Sequence, residues 1–387
     1  MPGGWSIRGL IASVYAPCLV YSIGQGAIIP VVALTARGLG ASVGVAGLVV
    51  ALIGIGQICG DVPGGALSSR FGERNAMVGA AVVAAVALAG CLLAASVWEL
   101  AAAVFATGMA GAVWHLARQS YLAELVPPGV RGRAMSTLGG MQRVGMFLGP
   151  FVGAGAMHLM GTKGAYAVNL AAALAAAIAL LLVPDVTRRH DAPRVSTVTL
   201  VRQHWPVLRT LGLAALMFGA VRASRQVVVP LWSDHIGLDP TTTSLVYGVS
   251  GAVDMLLFYP AGKVMDRYGR MWIAAPSMLV LGVAHLLLPL THTTLTLSVV
   301  AALMGIGNGI GAGVVMTLGV DAAPVAGRAA FLGAWRLAPD VGTAAGPAVV
   351  SAVTAATALA PAIVSIGVVA VLTVAALRRW IPRTRAG

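Results

Sequence analysis

Polar residues interrupt this chain at near-regular intervals, and between the interruptions the apolar character is continuous. A helix needs roughly 20 predominantly apolar residues to cross the hydrocarbon core of a bilayer. On that measure the pattern predicts twelve spans, at 8–34, 43–67, 75–96, 98–123, 134–159, 164–184, 205–233, 241–264, 272–291, 293–320, 328–353 and 358–380. Gly and Pro punctuate many of them, which a membrane bundle tolerates because neighbouring helices satisfy the freed backbone groups. The longest polar segment, 185–204, divides the chain almost in half. The expected organisation is therefore an N-terminal six-helix bundle over 1–184, a linker over 185–204, and a C-terminal six-helix bundle over 205–387.

Composition supports lipid as the solvent. The 387 residues are 58% hydrophobic and 10% charged, with a mean hydropathy of +0.90, against about 45–50% apolar and about 25% charged in soluble domains. Only 6% are aromatic, and Ala and Gly abound. Small residues let helices approach closely in a membrane, whereas an outer-membrane barrel wants alternation and aromatic girdles. The expected fold class is an all-α membrane protein of twelve transmembrane helices in two pseudo-symmetric six-helix bundles. Cys18, Cys59 and Cys91 lie in apolar stretches without metal or disulfide spacing. There is no phosphate-binding loop and no room for a soluble catalytic domain, so neither an enzyme nor ATP-driven transport is expected, and no cofactor or metal.

Charge sets the orientation. With the N-terminus in the cytoplasm, eighteen of the 25 Lys and Arg fall in cytoplasmic segments, two outside (Arg37 and Lys163) and five within spans (Arg118, Arg143, Arg222, Arg225 and Arg336). The positive-inside rule then places both termini in the cytoplasm of a multi-pass protein of the bacterial inner membrane. The net charge of +13 is an orientation signal and not a nucleic-acid footprint, since it is scattered over short loops.

The halves repeat one another. Pro63-Gly64-Gly65 returns as Pro260-Ala261-Gly262, an offset of 197 residues (262 − 65). The same offset aligns Arg70 with Arg267, Gly72 with Gly269, Gly108 with Gly305, Glu124 with Asp321 and Pro127 with Pro324. It also aligns Gly145, Gly149 and Pro150 with Gly342, Gly346 and Pro347. In the first helix of each half, matching Pro30 to Pro230 requires a small indel, which pairs Ser22 and Gln25 with Arg222 and Arg225. Two similar halves suit a transporter that exposes its site to either side as they rock.

At these residues the chain resembles the major facilitator superfamily over nearly its whole length. That family carries G-x-x-x-D-R-x-G-R after helices 2 and 8. The second copy is complete in Gly262, Asp266, Arg267, Gly269 and Arg270. The first, with Gly65, Arg70, Gly72 and Arg74, has Ser69 in place of the acid and Glu73 in place of the last Arg. The resemblance implies an intracellular latch, with Asp266 and Arg270 facing Asp321, and a rewired N-terminal counterpart through Arg74 and Glu124. The family's drug/proton antiporters carry G-x-x-x-G-P-x-x-G in helix 5, matched by Gly145, Gly149, Pro150 and Gly153. They also carry an Arg in helix 4 where this chain has Val104. The family fold implies that helices 1, 4, 7 and 10 line the substrate cavity, which nominates Ser22, Gln25, Trp114, His115, Arg222, Arg225 and Asn308.

Ionisable residues inside a membrane are costly and mark function or a buried pair. By depth Arg222, Asp254 and Asp340 agree within a turn, so Asp254 and Asp340 are the proton-coupling candidates and Arg222 their nearest counter-charge; buried pairs that only fix packing are the alternative. Arg118, Arg143 and Asp61 lie nearer the cytoplasm and suit gate contacts. The expected function is proton-coupled export of small organic molecules by alternating access, as a monomer. Its rivals are uptake or exchange of an anionic metabolite, which two arginines would suit, and a non-transporting scaffold or sensor. Reporter fusions after Leu182 and at Gly387 should both report cytoplasm; a periplasmic signal at either contradicts the topology.

Overall fold

The computed structural model describes residues 10–127, 130–182, 204–324 and 328–381. The 185–203 stretch of the expected linker lies outside them. Twelve membrane-length helical segments follow in order: α1 Ser13–Gly38, α2 Val43–Phe71, α3 Glu73–Leu93, α4 Val97–Leu125, α5 Arg131–Met160, α6 Lys163–Leu181, α7 Trp205–His235, α8 Pro240–Tyr268, α9 Met271–Leu290, α10 Thr294–Ala322, α11 Arg328–Ala356 and α12 Leu359–Trp380. No strand occurs among the described residues. Ten of the helices are long and apolar enough to cross a membrane. The other two, α5 and α11, are 30 and 29 residues long and carry Arg143, and Arg336 with Asp340, in mid-helix. Large apolar side chains such as Leu93, Trp98, Leu159 and Leu256 are exposed, which lipid accommodates and water does not.

The first helix runs further than its pattern suggests. A turn at 29–31, beside Pro30, interrupts α1, and the chain resumes as helix from Val32 to Gly38. Gly40 then ends it at φ 88°, as Gly237 ends α7 at φ 80°. Gly72 and Gly269, in the motif loops, adopt φ 84° and 94°. Both pairs obey the offset of 197, and both need the left-handed region that only Gly enters without strain.

Two compact units share the chain. The first comprises Met1–Gly40, Leu52–Asp191 and Pro240–Gly248; the second comprises Ala41–Ala51, Ala192–Asp239 and Val249–Gly387. Each is one six-helix half in which the first turns of α2 and of α8 have changed places. In the second unit the Ser351 hydroxyl on α11 donates to the Gly44 carbonyl of α2. In the first, Gly248 of α8 lies against the Phe151 ring of α5, 2.7 Å from the position of a Cβ. Within the first unit α1 packs on α5 and α6, and α3 on α4 and α6. The second repeats this with α7 on α11 and α12, and α9 on α10 and α12.

The repeat reaches the level of backbone contacts. Gly145 and Gly149 of α5 face Leu19 and Ile23 of α1, with a Cβ position 2.7 Å from the Leu19 carbonyl oxygen and 2.5 Å from that of Ile23. Gly342 and Gly346 of α11 meet the carbonyls of Leu216 and Ala220 on α7 in the same way. Gly108 of α4 meets the Ile53 carbonyl of α2, and Gly305 of α10 meets that of Ser250 on α8. Every pair is 197 residues apart. The first helices therefore share this offset, and the indel implied by the prolines is not the spatial one: Arg222 corresponds to Gln25, and Arg225 to Ile28. Prolines mark where a helix bends, whereas glycines mark where two helices touch.

Gly149→Ala should lower stability by about 1–3 kcal/mol, because its Cβ meets backbone that cannot move aside. Gly155→Ala, in the same helix with nothing within 4 Å of its Cβ position, should be neutral or stabilising by about 0.5–1 kcal/mol. Thermal denaturation in detergent checks this, and equal effects of the two would contradict the contact.

Candidate functional site

The densest polar network among the described residues lies in the second unit. Gly305 and Gly309 bring the backbone of α10 onto α8, where a Cβ on Gly309 would sit 2.6 Å from the Asp254 carbonyl oxygen. That approach delivers the neighbouring Asn308 to the Asp254 side chain. Asn308 Nδ2 donates to Asp254 Oδ2 at 2.5 Å, and Arg222 Nε donates to Asn308 Oδ1 at 2.6 Å. Arg225 lies one turn along α7. It donates from Nη1 to Ser250 Oγ at 3.0 Å and places Nη2 3.8 Å from Asp254 Oδ2. The Arg222 guanidinium also lies 5.9 Å from the centroid of the Phe218 ring.

Asp254 thus meets Arg225 directly and Arg222 through an amide. Depth does not fix azimuth, and Arg225, a turn from Arg222, also reaches Asp254. These contacts bring two guanidinium groups to the Asp254 carboxylate, with side-chain exposures of 11% for Arg225 and 15% for Asp254. An added proton on Asp254 would cancel its attraction for Arg225 and disturb the Asn308 bridge. Asp340 is half-buried on α11. It follows Pro339, whose carbonyl oxygen is 2.8 Å from a Cβ position on Gly219, less than a turn from Arg222 along α7.

The other nominated residues lie in the first unit. Gln25 reaches over Gly111, with Nε2 3.3 Å from its Cβ position, the counterpart by repeat of Arg222 over Asn308. Ser22 is buried against Gly145, Trp114 is buried and stacked on Tyr21 with ring centroids 4.3 Å apart, and His115 is half-buried on α4. A cavity of about 510 Å³ in the second unit, lined by Trp232, His235 and Thr354 among others, holds none of the nominated residues.

The motif loops differ between halves. Arg270 grips Asp321 with two bonds, Nε to Oδ2 at 2.8 Å and Nη2 to Oδ1 at 3.2 Å. Asp266 is exposed and outside that pair, Arg267 lies over the adjacent Tyr268 ring, and Gly262 faces open space. In the first half the repeat puts Glu73 where Arg270 stands and Glu124 where Asp321 stands, so two acids face that position. Arg74 turns instead to the end of α6, donating to the carbonyls of Leu180 at 2.8 Å and Leu181 at 2.6 Å. Those carbonyls are among the orphans of a helix C-terminus, which a guanidinium satisfies. Arg70 is exposed over Phe71, and Gly65 is near Leu116.

Pattern reading passed over Ser250, which holds Arg225, and His285 on α9. His285 is fully buried, with Nε2 2.9 Å from Ser224 Oγ on α7 and Nδ1 2.7 Å from the Leu281 carbonyl. A histidine inside the apolar run 272–291 was the available signal.

The family model described as Major Facilitator Superfamily matches residues 18–253 and 211–387. The multidrug resistance protein MdtH of Klebsiella pneumoniae (strain 342) is 25% identical over 291 residues, covering 73% of this chain and 71% of that protein. MdtH of Escherichia coli (strain SE11) is 23% identical over 288 residues, covering 73% and 71%. Among solved structures, the nucleoside transporter NupG matches with a TM-score of 0.79 at 11% identity, over 95% of this chain and 100% of its own. A D-xylose-proton symporter matches with 0.76 at 17% identity, over 98% of each.

Arg270→Gln and Asp321→Asn should each change stability by only about 0.2–1 kcal/mol, as for an exposed pair. Each should nevertheless slow transport severalfold, and the double variant should be no slower than either single one. Additive slowing in vesicle flux would contradict a shared role.

Proposed function

The chain belongs to the major facilitator superfamily, and from that premise we propose that it is a proton-coupled exporter of small organic molecules working by alternating access. The observation that carries this reading is Asp254: one carboxylate inside a membrane span, shared between Arg225 and the Asn308 amide that leads to Arg222. A proton arriving there changes the charge of the whole network, and a substrate that engages either arginine competes for the same carboxylate. That reciprocity is what coupling requires. Export is favoured by the full helix 5 motif, Gly145 to Gly153, and by the multidrug resistance proteins among the relatives.

In this reading the protein sits in the bacterial inner membrane as a monomer, with both termini cytoplasmic as the Lys and Arg distribution requires. The halves are 1–184 and 205–387, joined by 185–204. The latch at Arg270 and Asp321 is on the cytoplasmic side. A second reading, exchange of an anionic metabolite, is favoured by the two guanidinium groups that the same network brings together.

Purified protein in proteoliposomes, given a proton gradient and offered ethidium, Nile red and fluorescein in turn, should move at least one of them. Asp254→Asn should reduce gradient-driven flux by about a hundredfold or more, the lower end for loss of a positioned proton-transfer group. Exchange without a gradient should survive. Full gradient-driven flux in Asp254→Asn, or no flux of any dye, contradicts the proposal.

A further inference from the structure

The first unit holds a charge that no described carboxylate balances. Arg118 of α4 is 2% exposed. Its Nη1 donates to the Cys18 sulfur of α1 at 2.8 Å and its Nη2 to Gln142 Oε1 of α5 at 3.0 Å, while its Nε has no acceptor. A thiol and a neutral amide do not compensate a guanidinium removed from water. A further buried donor lacks an acceptor one helical turn away, the Trp114 indole N–H, a turn before Arg118; the Ser22 hydroxyl, a turn beyond Cys18, has the Cys18 sulfur beside it. The Trp114 ring, stacked on Tyr21, walls that level.

The fold does not need this polar layer. At the offset of 197, Cys18, Arg118 and Gln142 correspond to Ala215, Val315 and Pro339, so the second unit has no polar side chain at these three positions. What the Arg118 Nε and the Trp114 indole N–H lack is an acceptor, and the guanidinium as a whole lacks an anionic one.

We propose that Arg118 is the docking point for the carboxylate of an organic acid, which makes aromatic carboxylates a substrate class of the exporter. The Gln142 amide oxygen stands where a ligand oxygen goes and swings aside when one arrives. Two carboxylate oxygens match the fork of the guanidinium, the Ser22 hydroxyl supplies a further donor, and the Tyr21–Trp114 stack supplies an apolar surface for the ring of the acid. The assignment rests on the transporter reading above, and binding and flux are separable.

Thermal denaturation of the detergent-purified full chain tests it, with benzoate as the anionic probe and benzamide as its neutral isostere. Benzoate at high millimolar concentration should raise Tm by about 2 °C or more, as a ligand that binds only the folded state does, and benzamide should not. Arg118→Gln should abolish the shift. Gln142→Glu, which supplies the missing carboxylate from within, should raise Tm without ligand and also abolish the benzoate response; it keeps the test decisive if Arg118→Gln folds poorly. No benzoate shift in the wild type, an equal shift with benzamide, or a benzoate shift that survives in Gln142→Glu overturns the proposal. Movement of ethidium without any benzoate shift leaves the transporter standing and sinks the carboxylate site. A benzoate shift without dye flux supports the site and sinks the transporter.

Discussion

Helices in a bilayer gain no hydrophobic free energy by touching one another, because lipid tails are as apolar as their side chains; they associate through close van der Waals packing. In this protein the close approaches are made at glycines that have no room for a Cβ. Gly145 and Gly149 seat α5 on α1, Gly342 and Gly346 seat α11 on α7, and Gly108 and Gly305 seat α4 on α2 and α10 on α8. Backbone meeting backbone fixes register as side-chain packing cannot, since a slip of one residue would drive a Cβ into a carbonyl. The two halves are alike to the residue at these points because the same glycines recur 197 positions apart.

On such a matched frame the differences between halves stand out. One half places Arg222, Arg225, Asp254 and Asn308 at the level where the other has Gln25, Ile28, Gln57 and Gly111. The other half keeps Arg118, Cys18 and Gln142 where its sister is apolar. Polar groups in low dielectric are retained at a cost, and the glycine contacts that the two halves share form with either set, so those contacts demand neither. Gly305 and Gly309 link the two themes: the contact that locks α10 to α8 also carries Asn308 to Asp254.

Much of this was legible in the linear pattern. Spans, repeat and motif loops follow from hydropathy and from glycines at constant spacing, since those report burial and contact directly. Two classes of fact were not. Helix azimuth is invisible to depth, which groups Arg222, Asp254 and Asp340 but does not show that Arg225 also reaches Asp254 or that Asn308 bridges Asp254 to Arg222. The degraded motif announces rewiring through Arg74 but not its target: Arg74 reaches the carbonyls of Leu180 and Leu181, which carry no side-chain signature. The proline-based alignment of α1 with α7 failed for a related reason, since Pro30 lies at the turn that interrupts α1 whereas Pro230 lies inside the continuous helix Leu213–His235.

If glycine contacts lock each half, transport must proceed with α1 and α5 moving as one body. A disulfide between them tests that claim most directly. In a background with Cys18, Cys59 and Cys91 replaced by Ser, Ala27→Cys with Gly153→Cys joins positions whose Cβ atoms lie about 3.0 Å apart, just short of the usual disulfide range of about 3.5–4.5 Å. The account predicts that oxidation leaves gradient-driven dye flux within about twofold of the reduced protein, a change of about 0.4 kcal/mol in barrier. Flux that stops on oxidation and returns with reductant would show that α1 and α5 separate during transport, and would contradict the account.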